Sequence, residues 1–330
     1  VSKTVSLKKR GKEFVGLSPF SNEKTPSFTV NDEKGFYHCF SSAEHGNIFD
    51  FIMKTKNYKF GEAVRILASD AGMPVYRFSK QDEEKEKRWK TYNQILEKYA
   101  KLCNHEITSE KYIDINKYLI KRKITKNEIT LFQIGYSPTN NDYYDQLKNE
   151  FNDQQIISSG IFYFDEKNKK YVDRFKGRII FPVKNLSGHI FALGGRALSQ
   201  TTYAKYINSP ETEFYKKGNI IFNLDKAKLC RAETNEVIIV EGYMDVVSVY
   251  STGIKNVIAN SGTALTDRQI NIIWKFFSNP IICLDGDQSG QNAALRIAEK
   301  LFSLINEDNK IFFSVMPDGN DPDDYIKKKW

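Results

Sequence analysis

The chain has 330 residues, 49 Lys and Arg against 41 Asp and Glu (net charge +8), and is 40% hydrophobic and 27% charged. This supports a mostly globular chain with two or three cored domains and excludes a disordered one. No apolar run approaches a membrane span, the start VSKTVSLKKRG is not a secretory signal, and Cys39, Cys103, Cys230 and Cys283 form no CxxC pair; a cytoplasmic protein without membrane or disulfide framework is expected.

The charge is unevenly spread. Residues 160–235 hold 14 Lys/Arg against 7 Asp/Glu, and residues 236–330 hold 9 against 13. A basic segment before an acidic one suits a polyanion brought to metal ions, although basic surface also serves solubility.

Residues 1–75 contain VSLKKRGKEFVGLSPF, TPSFTVND and GFYHCFSS, short runs separated by Pro, Asn-Asp and Gly signals. They predict a small antiparallel sheet. Phe49, Ile52 and Met53, then Ala63, Ile66 and Leu67, follow at helical spacing. The stretch GLSPFSNEKTPSFTVNDEKGFYHCFSSAEHGNIFDFI resembles the N-terminal zinc-ribbon domain of bacterial DnaG-type replicative primases. The resemblance puts a Cys, a His and two further Cys where this chain has Ser18, Ser21, Cys39 and Ser42. A hydroxyl is a poor zinc ligand beside thiolate or imidazole, and His38 and His45 only crowd one loop near Cys39. A ribbon that keeps its fold without zinc is therefore expected.

Residues 76–92, YRFSKQDEEKEKRWKTY, are dense in charge and predict a linker running into a helix. Ile95, Leu96, Tyr99, Ala100 and Leu102, then Ile115, Tyr118 and Leu119, predict short helices. NKYLIKRKITKNEITLFQIGYSP resembles the segment that opens the primase polymerase domain, with Arg122 at the family's arginine. Alone, Arg122 reads as a solvated surface charge.

YVDRFKGRIIFPVKNLSGHIFALGGRAL predicts strands at 179–183 and 190–193 joined by a turn at Asn185-Leu186-Ser187-Gly188. YAKYINSPETEFYKKGNIIFNL then resembles the primase motif lining the groove for template and nucleotide. The matching positions are Arg196, Lys205, Asn208 and Lys217. Gly194 and Gly195 permit close backbone approach, and Arg196 can offer a planar fork to phosphate. Tyr203, Tyr206 and Tyr215 could stack on bases or simply fill strands and core.

In the last segment, apolar runs at 237–240, 256–259, 280–284 and 311–316 alternate with helical stretches at 243–252, 266–277 and 289–305. A βα repeat of this kind predicts a parallel sheet. Glu241, then Asp285 with Asp287, then Asp321 with Asp323, close three of the runs. Acid delivered by three strand ends describes a divalent-metal site at one sheet edge. The competing explanation is that Asp285 or Asp287 caps the following helix. Asp245 stands a helical turn beyond Glu241, Asp318 is a further candidate, and Asp324 reads as a solvated neighbour. EGYMD, SGTALT, DGDQSGQNAALR and PDGNDPDDYI, in this order, resemble the TOPRIM domain of primases, a module shared with topoisomerases and some nucleases.

The expected fold is α+β multidomain: a zinc-ribbon-like β domain (1–75), a charged linker (76–92), a mixed α+β basic subdomain (93–235) and an α/β TOPRIM subdomain with a parallel sheet (236–330). The resemblance implies a DNA-dependent RNA primase acting at the bacterial replication fork, on single-stranded DNA and ribonucleoside triphosphates, with an RNA primer as product. Roughly two or three Mg²⁺ or Mn²⁺ ions would be held by Glu241, Asp285, Asp287, Asp321 and Asp323, with Asp245 in support. Arg122, Arg196, Lys205, Asn208 and Lys217 would guide template and triphosphate. The chain lacks an initial Met and ends in IKKKW, as a fragment would; the family's C-terminal helices and helicase-binding region are expected to lie outside it. Two other readings stay open: a TOPRIM strand-breaking enzyme, and a non-catalytic single-strand-binding scaffold.

Overall fold

The computed structural model describes residues 1–73, 79–198, 204–260 and 265–329. Tyr203, the first four residues of SGTALT, the 76–78 end of the charged stretch and the Asp318 side chain lie outside the described residues. The chain divides into two compact units, Val1–Glu86 and Lys87–Trp330.

The first unit holds an antiparallel sheet in the order β1 (Lys8–Arg10), β2 (Glu13–Gly16), β3 (Phe28–Asn31), β4 (Phe36–Cys39), β5 (His45–Gly46). Helices α1 (Ile48–Lys56) and α2 (Phe60–Asp70) follow. Asn47 starts α1 by accepting from the Phe49 and Asp50 amides at 2.7 and 3.2 Å, while the Asp50 carboxylate accepts from the Asn47 amide at 2.8 Å. The core is aromatic: Phe28, Tyr37 and Phe51 are buried with Val5 and Cys39, and Phe20 packs on all three rings. The helical spacing singled out Phe49, Ile52 and Met53, yet the buried residue of α1 is Phe51. The three rings around it select that face.

Helix α3 (Lys80–Thr108) differs from expectation. The charged stretch is helical from Lys80, and the short helices expected from residue 93 begin as one 29-residue helix. Glu, Lys and Gln are strong helix formers, so the charged half continues the helix that the apolar half packs down. Tyr92, Ile95, Leu96, Tyr99, Ala100 and Cys103 bury that face in a core with Phe162, Phe175, Ile180 and Leu193.

Next come α4 (Ile113–Lys121), α5 (Lys126–Phe132), β6 (Gly135–Ser137), α6 (Tyr143–Lys148), α7 (Asp153–Ser158) and a hairpin of β7 (Phe162–Asp165) with β8 (Lys170–Asp173). Strands β9 (Arg178–Lys184), β10 (Ile190–Ala197) and β11 (Tyr206–Asn208) complete an antiparallel sheet ordered β11-β10-β9-β6. The β9–β10 turn lies where expected, with the Asn185 side chain accepting from the Ser187 and His189 amides at 3.0 Å each. Buried Asp173 ties three elements together, accepting from Tyr99 Oη (2.9 Å), Ser137 Oγ (2.6 Å) and the Phe175 amide (2.7 Å).

After α8 (Leu224–Ala227) the chain alternates β12 (Glu236–Val240), α9 (Tyr243–Ser251), β13 (Val257–Ala259), α10 (Asp267–Trp274), β14 (Asn279–Leu284), α11 (Gln288–Leu301), β15 (Phe312–Val315) and α12 (Pro322–Lys329). All pairs in this sheet are parallel, in the order β13-β12-β14-β15. The two large sheets of this unit share a core: Phe181 of β9 stacks on Tyr243 of α9, centroids 5.4 Å apart and planes 8° apart. Among the described residues no helix is long and apolar enough to cross a membrane.

Candidate functional site

Each expected acidic ligand sits where a parallel strand ends. Glu241 follows β12, Asp285 and Asp287 follow β14, and Asp321 and Asp323 follow β15 across a short turn. These three strands are neighbours. The chain leaves β12 toward β13 on one side and β14 toward β15 on the other. Glu241, Asp285 and Asp287 therefore flank the switch point, where such sheets open a crevice, and Asp321 and Asp323 follow the adjoining strand.

Helix starts hold several of these carboxylates. Asp287 accepts from the Gly290 amide at 2.7 Å and caps α11, and Asp245 accepts from the Gly242 amide at 2.9 Å. A cap uses one oxygen of a carboxylate that has two, so capping and ligation are compatible. A Cβ on Gly290 would lie 2.1 Å from the Asp285 carbonyl oxygen, so only glycine lets α11 close on this loop. Carboxylate oxygens of Asp321, Asp323 and Asp324 lie within 4.8 Å of one another, the only group of three acidic, His or Cys ligands so gathered among the described residues. Asp324, read from sequence as a solvated neighbour, is exposed and belongs to that group. Asp323 is buried, accepts from Ser248 Oγ at 2.5 Å and pairs with the Arg122 guanidinium.

The cluster is electrostatically strained. Burial, then the charges of Asp321 and Asp323, pushes Asp245 up to about 7. Burial, then Glu241, Asp321 and Asp287, pushes Asp285 up to about 6, with Lys205 pulling the other way. Glu241 is raised by burial and by Asp287 and Asp321. Like charges at this density call for a counter-cation.

Two of the basic residues meet the acids: Arg122, at the end of α4, pairs with Asp323, and Lys205, just before β11, acts on Asp285. Gly194 and Arg196 of β10 pair with Asn208 and Tyr206 of β11. Arg196 is buried, its guanidinium 5.2 Å from the Tyr206 ring and 5.8 Å from the Tyr118 ring, and bonded to the Tyr206 hydroxyl. Asn208 accepts from the Tyr243 hydroxyl. Lys205 is exposed and Lys217 opens a short turn, its amide donating to Glu211 at 3.2 Å. Arg122 is not the solvated charge its residues alone suggested: it lies 5.2 Å from the Tyr118 ring and is bound to Asp323. Tyr215 is buried in the core and offers no stacking face, and Tyr206 carries Arg196.

Three protein families match the chain: the CHC2 zinc finger over residues 1–85, the N-terminal domain of the DNA primase catalytic core over 102–228, and the Toprim domain over 235–312. The DNA primase of Escherichia coli K12 is 36% identical over 331 residues, which covers 98% of this chain and 56% of that relative. The solved DnaG primase catalytic domain bound to single-stranded DNA aligns at 31% identity and TM-score 0.67, covering 74% of this chain and 76% of that one. The chain belongs to the DnaG-type primase family. The Aquifex aeolicus primase structure, with zinc-binding and RNA polymerase domains, aligns over 99% of this chain and 78% of that one, at 28% identity and TM-score 0.66. This primase-family chain thus spans about half the length of the E. coli relative.

The Toprim fold implies a divalent metal, and the hard oxygen donors crowded at this edge fit one. A pH signature follows. A carboxyl raised to about 7 favours the protonated folded state, so its stabilising contribution is present below pH 4 and lost as pH rises through about 7. Metal-free melting temperature should fall across that window. Saturating Mg²⁺ or Mn²⁺ should raise it by about 5–10 °C at pH 8, from ~2.7 kcal/mol of linkage at a hundredfold excess over Kd, and by less at pH 5. Equal metal stabilisation at both pH values would contradict the assignment.

Two features escaped the sequence. Arg178 is buried, and its Nη1 donates to the Ala204 carbonyl at 2.9 Å and to the Gly195 and Lys205 carbonyls at 3.4 Å, holding the backbone that carries Lys205. Its one signal was an arginine opening the apolar run IIFPV. Gly194 was read as permitting close backbone approach, and the group that approaches is the Tyr243 ring, 2.3 Å from where a Cβ would lie. Gly194→Ala should therefore cost about 1–3 kcal/mol in urea unfolding through overpacking at the start of α9. Unchanged stability would show that the ring can move aside.

Proposed function

We propose that this chain is the template-binding and nucleotidyl-transfer part of a DNA-dependent RNA primase. The observation that carries the proposal is the meeting of two surfaces: carboxylates that follow three adjacent parallel strands, with exposed Lys205, the residue before β11, close enough to Asp285 to oppose its protonation. In this reading residues 1–75 form the ribbon, 76–92 connect it, 93–235 supply the basic groove and 236–330 the acidic edge.

Asp285, Asp287 and Asp321, with Glu241, are the residues we assign to roughly two or three Mg²⁺ or Mn²⁺ ions, and Asp323 joins them if its pairing with Arg122 opens. When bound, such ions neutralise a triphosphate and favour ionisation of a primer 3′-hydroxyl. Asp245 sets the start of α9 and, when ionised, adds negative charge near Asp321 and Asp285. Lys205 and Lys217 contact phosphates of template and triphosphate. Arg196, held between two tyrosine rings, contributes a fixed positive field, and Asn208 is oriented by Tyr243. The substrates are single-stranded DNA and ribonucleoside triphosphates, the product is an RNA primer, and the setting is the bacterial cytoplasm at a replication fork. A replicative helicase is the partner we expect of the whole protein.

The test is primer synthesis on single-stranded DNA with four ribonucleotides and Mg²⁺ or Mn²⁺. Short RNA that requires both template and metal is the expected result. Cleavage of the DNA instead would favour a strand-breaking Toprim enzyme, and binding without either reaction would favour a scaffold. Phosphate-dominated template binding should also weaken steeply between 50 and 200 mM salt, by roughly 10³-fold or more if six or more phosphates are neutralised.

A further inference from the structure

The CHC2 family match implies zinc in the first unit, yet the donors there do not fit it. Zinc ribbons take four thiolate or imidazole ligands. Here Cys39 is the one thiol, and Ser18, Ser21 and Ser42 occupy the positions that the resemblance assigns to the other three ligands. The nearby histidines do not compensate. His38 and His45 stack on each other with centroids 6.0 Å apart, and neither joins a group of three gathered ligands among the described residues.

The two loops that a zinc ion would staple are joined by other means. Glu23 Oε1 accepts from the Ser18 amide at 2.6 Å and the Ser27 amide at 3.1 Å, while Oε2 accepts from Ser27 Oγ at 2.6 Å. The Ser27 and Ser41 hydroxyls are bonded at 2.9 Å, and those of Ser41 and Ser21 at 2.7 Å. Cys39 Sγ donates to Ser18 Oγ at 3.1 Å, and that oxygen also accepts from the Phe20 and Ser21 amides at 3.0 Å each. Residues 18–27 are thereby tied to residues 39–41 by a continuous network, and buried Cys39 packs with the aromatic core on its other side.

We propose that this ribbon is built to fold without zinc: the Glu23 carboxylate orders the 18–27 loop, and the hydroxyl of Ser41 and the thiol of Cys39 join that loop to residues 39–41 in the metal's place. Charge-assisted bonds to a carboxylate are the strong kind, and three converge on Glu23. Serine hydroxyls stay protonated at neutral pH, so they suit this network as well as they fail a metal.

The test uses the full chain and reads zinc content and amide hydrogen exchange. Protein produced with zinc in the medium should carry well below one equivalent after gel filtration. A zinc chelator should leave exchange of the β2–β4 amides unchanged, whereas Glu23→Gln should accelerate it about tenfold or more. The triple substitution Ser18→Cys, Ser21→His, Ser42→Cys should take up one equivalent of zinc, because those side chains stand at the ligand positions. One tightly held zinc in the unaltered chain, or faster exchange on chelation, would overturn the proposal. So would unchanged exchange in Glu23→Gln, or a triple variant that binds no zinc. None of these readouts involves primer synthesis, so their failure and the failure of the primase reading are separate events.

Discussion

Asp285→Asn is expected to reduce primer synthesis by at least about 10²–10³-fold, the scale on which preorganised charge at a reacting centre acts. The substitution is nearly isosteric, and Asp285 stands at the end of β14 amid Glu241, Asp287 and Asp321. Removing one negative charge from a crowded set should leave the metal-free protein as stable as before or more so. Metal-dependent stabilisation should shrink, and single-stranded DNA binding should persist. That dissociation separates a ligand from a structural carboxylate, whose loss would lower stability and activity together. Undiminished synthesis in the asparagine variant would sink the assignment.

Arg122→Ala should destabilise the protein by about 3–5 kcal/mol, because it leaves Asp323 buried with its countercharge gone. Asp323 is 1% exposed, so water cannot readily replace the guanidinium. The hydroxyl of Ser248 remains as a donor but carries no charge. A drop in melting temperature of roughly 10 °C is the expected measurement. Adding Asp323→Asn to Arg122→Ala should recover much of the loss, since the buried charge that Arg122 paired with disappears, without restoring primer synthesis. A single substitution costing no more than a surface charge, under about 1 kcal/mol, would mean that the pair is solvated in solution.

The legibility of this protein in its sequence varied with distance along the chain. The βα alternation, the carboxylates at the strand ends, the β9–β10 turn and the antiparallel first sheet were all visible, because each is written in consecutive residues. Of the two explanations offered for Asp287, the cap is present in the structure. The residue caps α11 and also contributes charge to Glu241 and Asp285. What was left open or misread has one form. Tyr215 was left open between a stacking face and the core, and packing placed it in the core, while the helix run after residue 92 was read as short pieces. A tyrosine in a polar motif and a charged helix half look exposed until the facing surface is known.

By itself the sequence determined, within a residue or two, where the strands of the parallel sheet end and its helices begin, and that the ribbon has one thiol where the family resemblance puts three cysteines and a histidine. Periodicity, caps and turn residues act within a few positions, so they need no partner from elsewhere. Only the tertiary structure decided that Arg122 meets Asp323 across 201 residues, that Lys205 opposes Asp285, that Arg178 holds the backbone that carries Lys205, and that Ser41 and Cys39 join the ribbon's loops. Those pairings depend on sheet order and on the Phe181–Tyr243 core that joins the two sheets of the second unit. A charged side chain does not choose its partner by sequence distance; the packing around it does.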